Sequence, residues 1–271
     1  MLSQLDKARA FQDLHRRPGV LLLPNPWDAG TARLLQSLGF EALATTSLGL
    51  SNTLGRCDGS NAVSRVALLE NCRAIATATD LPVTADLENG YADEPRDAAR
   101  ILLDAADVGL AGGSLEDWSG ERIYDFNHAV ERVAASVEVL RARGKPFVFT
   151  ARADNLIRGV RDLDDTIRRL QAFGKAGADV LYAPGLRDLK TMRMVVQSVD
   201  KPVNVVMSAG DPDLTAEAIA AIGVKRISVG GALSRLALAA FMKGATAMKA
   251  GDFRWMRETL PTADLKRVFT D

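Results

Sequence analysis

The sequence is poor in histidine, cysteine and aromatic side chains, and each shortage excludes a class of function. Among its 271 residues are two histidines and two cysteines, aromatic residues make up 6%, and 34 basic residues balance 34 acidic ones. Cys57 and Cys72 are too few for a disulfide framework and are expected to be free thiols in a reducing compartment. A balanced charge without a basic, aromatic-rich stretch indicates that nucleic acid is not a partner.

Long apolar stretches are missing as well. No apolar run approaches the ~20 residues that a membrane-spanning helix needs. The opening segment, MLSQLDKARAFQDLHRR, is charged throughout and lacks the apolar centre of a secretory signal. We therefore expect a cytoplasmic protein with no membrane partner.

What the sequence does contain is a regular alternation of short apolar, β-branched runs and longer amphipathic segments. The runs predicted as strands are 20–25, 41–46, 82–87, 112–117, 146–152, 179–184, 202–208 and 226–231. Eight strand–helix units without a linker predict a single (β/α)8 barrel of the TIM type over residues 1–271. The alternative, a doubly wound open sheet, would carry a G-x-G-x-x-G turn after its first strand, where this sequence has LPNPWDAG.

In such a barrel, the functional side chains project from the C-terminal ends of the strands. The polar or aromatic residues predicted there are Asn25, Trp27, Asp28, Thr45, Thr46, Ser47, Asp58, Asp86, Glu88, Glu116, Asp117, Arg152, Asp154 and Asn204. His15 lies before strand 1 and His128 in or near the helix after strand 4, so neither histidine comes from a strand end. The lysines near strands, such as Lys145, precede them, which argues against a Schiff-base aldolase. An all-oxygen set of ligands favours Mg²⁺ or Mn²⁺ over zinc.

The stretch TADLENGY, residues 84–91, places two of these carboxylates two positions apart. Residues i and i+2 of a strand face the same side of the sheet. Asp86 and Glu88 would therefore crowd two negative charges together unless a cation lies between them. Glu116, at the end of the neighbouring strand, is placed to complete such a metal site.

Other residues of the mouth have a plain structural interpretation. Asp28, Asp93 and Asp117 are favoured as helix N-caps or solvated loop residues. Arg152 is either a structural counter-ion to the acidic mouth or a fork for a substrate carboxylate. The residues alone leave these two roles of Arg152 open.

Together, these segments resemble the isocitrate lyase/phosphoenolpyruvate mutase superfamily, in its small-enzyme branch. LPNPWDAGTARLLQSLGF resembles the family's first strand and helix, and ATTSLGLSNTLGRCDG its strand-2 turn with an aspartate-bearing loop. DLENGY matches its D-x-[DE]-x-G-[YF] metal motif, GGSLED its strand-4 glutamate and FTARADNLIRG its arginine strand. The similarity covers nearly the whole chain in the same order.

The resemblance implies a role for each site residue. Asp86 would bind Mg²⁺, or Mn²⁺, directly, with Glu88 and Glu116 holding the ion mainly through water. Asp58 would face the reacting bond, and Arg152 would contact the substrate carboxylate or the oxygen that becomes negative. The expected substrate contacts are Trp27, the strand-2 turn of Thr46, Ser47 and Leu48, Arg152 and Asn204.

The resemblance also implies an assembly, because members of this family form helix-swapped dimers that pair into tetramers. The last long helix, ALSRLALAAFMKGATAMKAG, is unusually apolar. It is either a core helix of the barrel or a subunit interface, since large apolar faces seldom stay exposed. We expect a swapped C-terminal helix and a homodimer or homotetramer.

One segment departs from the family's pattern. Lyases of this family carry a K-[KR]-C-G-H type gating loop after strand 4, whereas DWSGERIYDFNH, residues 117–128, has neither lysine nor cysteine. Cleavage of isocitrate or methylisocitrate is therefore disfavoured, and Tyr124 and His128 are the remaining proton donors. A carbon–phosphorus enzyme would have only Arg122 as the cation of this loop.

Three functions remain as hypotheses. The first is a Mg²⁺-dependent carbon–carbon lyase on a small 2-oxo or 2-hydroxy dicarboxylate. Oxaloacetate fits best, because its decarboxylation needs little from a gating loop. The second is a carbon–phosphorus enzyme, a phosphonopyruvate mutase or hydrolase, and the third is a barrel that binds 2-oxo acids with little catalysis.

Overall fold

The computed structural model describes residues 2–59, 63–208 and 214–269. Within these residues all eight predicted strands form, each shorter than its predicted range. They are Leu21–Leu23 (β1), Leu43–Ala44 (β2), Val83–Asp86 (β3), Gly112–Glu116 (β4), Val148–Arg152 (β5), Val180–Tyr182 (β6), Val203–Val206 (β7) and Arg226–Ser228 (β8).

The described strands form one parallel sheet in the order β1-β8-β7-β6-β5-β4-β3-β2. The ends of the sheet meet, because the Ala44 N–H donates to the Pro24 carbonyl at 3.1 Å and the Asn25 side chain to the Thr45 carbonyl at 3.1 Å. The sheet is therefore a nearly closed barrel, and the predicted (β/α)8 fold of the TIM type is confirmed.

Helices alternate with these strands on the outside of the barrel. They are Gln4–Arg16 (α1), Ala29–Ser37 (α2), Ser47–Thr53 (α3), Arg65–Ala78 (α4), Pro95–Asp107 (α5), Phe126–Arg143 (α6), Leu163–Ala176 (α7), Leu189–Ser198 (α8), Ala216–Ala221 (α9), Ala232–Lys249 (α10) and Thr262–Val268 (α11), with a 3₁₀ helix at Arg254–Glu258. No helix of the described residues is long and apolar enough to cross a bilayer.

The segment after β2 is the main departure from the predicted elements. The sequence predicted a turn and an aspartate-bearing loop after strand 2, but α3 occupies the first part of this segment. The Thr46 side chain starts this helix by accepting a hydrogen bond from the Gly49 N–H at 3.3 Å. Leu50 is buried, so packing holds this short helix against the barrel.

A small apolar core fills the N-terminal half of the barrel. Helix α1 lies across that end and inserts Phe11, which is fully buried. The residues in contact there are Phe11, Leu21, Leu23, Ala42, Ala44, Val148 and Val180. A larger core lies between the strands and the outer helices. The polar side chains at the other end of the strands are therefore supported by a packed core.

Replacing the residue that closes this end should destabilise the protein. Phe11→Ala leaves a cavity at the barrel's N-terminal end and should lower the free energy of unfolding by about 3–5 kcal/mol. Urea denaturation measures the change. Leu38→Ala is the control, because Leu38 is 73% exposed and its loss should cost about 0.5 kcal/mol or less. Equal effects of the two substitutions would contradict a packed barrel interior.

Candidate active site

Asp86 is the last residue of β3, and its carboxylate faces the turn after β2. Ser47 Oγ donates to Asp86 Oδ2 at 3.0 Å, and the Glu88 N–H donates to Oδ1 at 3.2 Å. The backbone is held as well, because the Asp86 N–H donates to Thr45 Oγ1 at 3.1 Å. Strands β2 and β3 thus fix one carboxylate at the rim of the barrel.

Glu88 reaches the site by a different route from the one that the strand pattern predicted. Strand β3 ends at Asp86, and Glu88 lies in the following turn with φ of 50°, a left-handed conformation that is costly for a residue other than glycine. Its side chain is buried and accepts a hydrogen bond from the Tyr91 hydroxyl at 3.3 Å. Burial, with the charges of Asp86 and Asp58 adding to it, raises the pKa of Glu88 to about 7.

Glu116 and Arg152 are direct neighbours at the ends of β4 and β5. Arg152 Nη1 lies 3.1 Å from Glu116 Oε2 and 3.6 Å from Asp86 Oδ2. The other edge of the guanidinium forms a bidentate pair with Asp154. Although burial opposes the charge, these carboxylates hold the pKa of Arg152 well above its ordinary range.

Burial has the largest effect on the electrostatics of Glu116, although two arginines, Arg152 and Arg158, contact its carboxylate. Burial raises the pKa of Glu116 well above its ordinary range, despite the opposing effect of Arg152. Burial likewise raises the pKa of Glu88, and in both residues the charges of neighbouring carboxylates add to the effect of burial. A further cation bound here would stabilise the charged form of these carboxylates.

The donor set fits a hydrated divalent cation rather than a closed protein cage. Among the described residues, no three side chains of histidine, cysteine, aspartate or glutamate converge to hold a metal directly. Mg²⁺ characteristically keeps several waters and uses one or two carboxylates. Asp86, the partly exposed carboxylate at the rim, suits the direct ligand, and Glu88 and Glu116 suit contacts through water.

Asp58 comes close to this cluster from the loop after α3. Burial is the main cause of its raised pKa, the charge of Asp86 adds to it, and a hydrogen bond from Ser47 opposes it. Ser51 Oγ also donates to Asp58 Oδ1 at 3.5 Å. The structure therefore brings Asp58 close to the other carboxylates. Residues 60–62 of the same loop lie outside the described residues.

The expected substrate contacts divide into two groups. Thr46, Arg152 and Asn204 line a pocket that opens at the C-terminal end of the barrel, beside Asp86, to which Ser47 donates its hydrogen bond. Leu48 instead packs against the start of α10, since a Cβ added to Gly231 would lie 2.3 Å from its side chain. The Trp27 Cβ packs against Gly49, at the first turn of α3.

Asp28 and Asp93 have the structural roles that were favoured for them, whereas Asp117 is neither a helix N-cap nor a solvated loop residue, because it is buried in an ion pair. Asp28 caps α2 by accepting from the Thr31 N–H at 2.7 Å. Asp117 accepts from the Asp154 N–H at 2.7 Å and pairs with Arg169 at 3.1 Å. Asp93 lies in a loop and accepts a hydrogen bond from the Tyr124 hydroxyl.

Three residues after β4, the candidate proton donors and Arg122, lie outside the pocket at the mouth. Arg122, Tyr124 and His128 line a separate pocket together with Asp93. Tyr124 and His128 both bond Asp93, His128 through Nε2 to its carbonyl oxygen at 3.0 Å. None of these three side chains lines the pocket that contains Asp86 and Arg152.

Sequence reasoning missed Arg158, a second arginine of the acidic cluster. Its Nη2 donates to Glu116 Oε1 at 3.3 Å and its Nε to Asp154 Oδ2 at 3.3 Å. The guanidinium also stacks on the Trp118 ring at 4.6 Å. The available signal was its position four residues after Asp154, the spacing of one helical turn.

Comparison with known proteins agrees with this arrangement of site and fold. The chain matches the phosphoenolpyruvate phosphomutase family over residues 11–249, and it belongs to that family. A candidate lyase/mutase of Burkholderia cenocepacia J2315, whose crystal structure is known, is 48% identical, with a TM-score of 0.95 over 99% of this chain and 97% of that one.

Two further relatives carry named activities. The crystal structure of 2,3-dimethylmalate lyase, a member of the phosphoenolpyruvate mutase/isocitrate lyase superfamily, is 25% identical, with a TM-score of 0.86 over 99% of this chain and 95% of that one. The oxaloacetate decarboxylase of Pseudomonas fluorescens is 27% identical over 231 residues, which are 83% of this chain and 78% of that protein. The chain is thus an enzyme of the lyase and mutase type.

The burial of Glu88 should make the metal-free protein less stable as pH rises. The pKa of Glu88 is about 7 in the folded chain and 4.5 as its ordinary value. Between these values only the unfolded state has lost the proton, so the free energy of unfolding should fall by about 3 kcal/mol in total. In EDTA, Glu88→Gln should therefore raise the melting temperature at pH 8 and change it little at pH 4.5. An equal effect at both pH values would show that burial does not raise the pKa of Glu88.

Proposed function

We propose that the chain is a Mg²⁺-dependent carbon–carbon lyase that acts on a small 2-oxo dicarboxylic acid, with oxaloacetate as the substrate that fits best. The observation that carries this proposal is the pairing of Arg152 with three carboxylates beside a pocket that also exposes Asp86. This arrangement suits the binding of a divalent cation and an anionic substrate oxygen next to each other. The named activities of the relatives, on 2,3-dimethylmalate and oxaloacetate, support carbon–carbon cleavage.

Arg152 is the residue that meets developing charge in this proposal. Cleavage next to a 2-oxo group moves the electron pair of the breaking bond onto the carbonyl oxygen and leaves an enolate of the pyruvate type. A guanidinium fixed by Asp154 and Glu116 meets that oxygen without reorganising, which is the main source of electrostatic catalysis. A divalent cation bound at Asp86 would add a Lewis acid that polarises the same carbonyl.

The loop after β4 favours decarboxylation over cleavage reactions that need a protein acid. Tyr124 and His128, the two candidate donors, are bonded to Asp93 and line a different pocket. In oxaloacetate the bond between C3 and C4 breaks, CO₂ departs, and water delivers the proton to C3 to give pyruvate. This reaction asks no residue of the loop for a proton.

A proton NMR time course of the protein with Mg²⁺ tests this proposal. Separate samples contain oxaloacetate, phosphonopyruvate, methylisocitrate and a 2-alkylmalate, each with an EDTA control, because oxaloacetate decays unaided. We expect pyruvate to form faster than the uncatalysed rate from oxaloacetate alone. Loss of phosphonopyruvate would instead support the carbon–phosphorus reaction. Mg²⁺-dependent thermal stabilisation by pyruvate or 2-oxoglutarate without turnover would support a binding protein.

Asp86→Ala should abolish the Mg²⁺-dependent part of this activity while the barrel stays folded. Strand-end residues on this face serve function more than stability, so the melting temperature should change little. We expect the rate of pyruvate formation to fall at least about 100-fold. Asp97→Ala is the control, since Asp97 lies exposed on α5, where it pairs with Arg100 at 3.5 Å. A variant at position 86 with full Mg²⁺-dependent activity would refute the site.

We also propose that α10 packs against a second copy of the chain. Within this 18-residue helix only Ser234 and Gly244 are buried, while Leu236, Phe241 and Met242 are 67%, 69% and 61% exposed. The apolar residues continue after the helix with Phe253 and Met256. A face of this kind rarely stays in water, and a homo-oligomer is the assembly expected from the family resemblance.

A charge placed on this face should dissociate the assembly. By light scattering after size-exclusion chromatography, the native chain should be a dimer or tetramer and Phe241→Glu should shift it toward the monomer. Leu38→Glu is the matched control, because Leu38 is equally exposed but lies on α2's C-terminal end, away from α10. A native chain that runs as a monomer would exclude the proposed interface.

A further inference from the structure

Arg226 is a buried cation that lacks an anionic partner. It opens β8 inside the barrel and is 4% exposed. Its Nε donates to Asn204 Oδ1 at 3.1 Å and its Nη1 to Thr150 Oγ1 at 3.1 Å. Both partners are neutral, and among the described residues Arg226 forms no ion pair. Burial lowers its pKa to about 10, which still leaves the guanidinium charged at neutral pH.

The other buried arginines of the barrel have fuller sets of partners. Arg169 pairs with Asp117 and Asp165. Arg132 donates to three backbone carbonyl oxygens and packs its guanidinium against the Tyr124 ring at 4.4 Å. Arg226 has two neutral acceptors, and its guanidinium lies farther from its aromatic neighbour, 6.0 Å from the centre of the Phe11 ring. A buried charge without an ionic partner costs folding free energy. Its presence here therefore indicates a partner from outside the chain, such as an anionic ligand.

The position of Arg226 indicates where that partner binds. Arg226 lines the same pocket as Asp86 and Arg152, two residues deeper along its strand than Ser228, which lines the pocket nearer the mouth. Small residues on the facing strands, Thr84 and Ser114, leave this part of the barrel open. The pocket thus has one arginine near its rim, already neutralised by carboxylates, and a second at its floor that is not.

We propose that Arg226 is an anion-binding residue at the floor of the pocket, and that it holds the carboxylate of the 2-oxo acid fragment that stays behind when the bond breaks. The proposal rests on the proposed function for the identity of that fragment. Asp58 is near the rim, so this orientation directs the retained carboxylate inward and the breaking bond outward. A leaving carboxylate held by Arg226 would instead be stabilised against departure, since the contact would be lost in the transition state.

Such a residue makes the site selective for 2-oxo acids over their neutral analogues. A carboxylate can accept two parallel hydrogen bonds from a guanidinium, whereas a carboxamide of the same shape offers one acceptor and no charge. The Nη2 group of Arg226 is given no acceptor by the described residues, and the Asn204 side chain beside it lines the same pocket. Pyruvate should therefore bind better than pyruvamide.

Isothermal titration calorimetry with pyruvate and pyruvamide, in Mg²⁺, tests this inference without any turnover. The native protein should prefer pyruvate by about 10- to 100-fold, the value of a hydrogen-bonded charge. Arg226→Gln should bring the two affinities within a few-fold of each other by weakening pyruvate alone. Arg226→Lys, which keeps the charge and loses the fork, should retain part of the preference. Arg122→Gln is the matched control and should bind like the native protein.

The thermal stability of the ligand-free variants separates binding from a structural role. If Arg226 serves ligand binding, removing its buried charge should leave the melting temperature of Arg226→Gln unchanged or higher. A lower melting temperature with an unchanged preference for pyruvate would overturn the inference. So would a native protein that binds both compounds equally or binds neither. If Arg226→Gln does not fold, the native preference and the Arg226→Lys variant still decide.

The outcomes also separate this inference from the proposed function. Preference for pyruvate that depends on Arg226, without cleavage of oxaloacetate, would leave the anion site standing and refute the lyase. If the protein cleaves oxaloacetate but its preference for pyruvate over pyruvamide does not depend on Arg226, the lyase stands and the anion site is refuted.

Discussion

The crowding of carboxylates around two guanidinium groups, those of Arg152 and Arg158, is the constraint on which the rest of the mouth depends. Arg152 contacts Asp86, Glu116 and Asp154 at once, yet burial still raises the pKa of Glu116 well above its ordinary range. Such a cluster costs folding free energy unless a further cation compensates it. A divalent ion at Asp86 would do so, and it would also turn an anionic mouth into a site for an anionic substrate.

The barrel and half of this cluster could be predicted because parallel strands obey simple rules. Apolar runs gave all eight strands, and the C-terminal end of each strand located Asp86, Glu116 and Arg152. Glu88 was placed correctly for the wrong reason. The strand whose alternation put it beside Asp86 ends two residues before Glu88, and a left-handed turn places Glu88 at the site instead. The two-residue alternation of side chains along a strand does not predict a turn of that kind.

The two missed arginines show what such rules leave out. Arg226 begins its strand, so a search confined to strand ends passes over it, although its long side chain lines the same pocket. Arg158 lies in a turn after β5 and meets the cluster through contacts with Glu116 and Asp154. Long side chains carry charge several ångströms from their backbone, and only the folded arrangement reveals where that charge ends.

The central claim is that Asp86 makes this mouth a divalent cation site, and direct metal binding tests it most directly. Mn²⁺ is paramagnetic and suits the same oxygen ligands as Mg²⁺. Titration of Mn²⁺ followed by electron paramagnetic resonance should show one bound ion per chain, displaced by Mg²⁺ and lost in Asp86→Ala. A native protein that binds no Mn²⁺, or an Asp86→Ala variant that binds it equally well, would contradict the account.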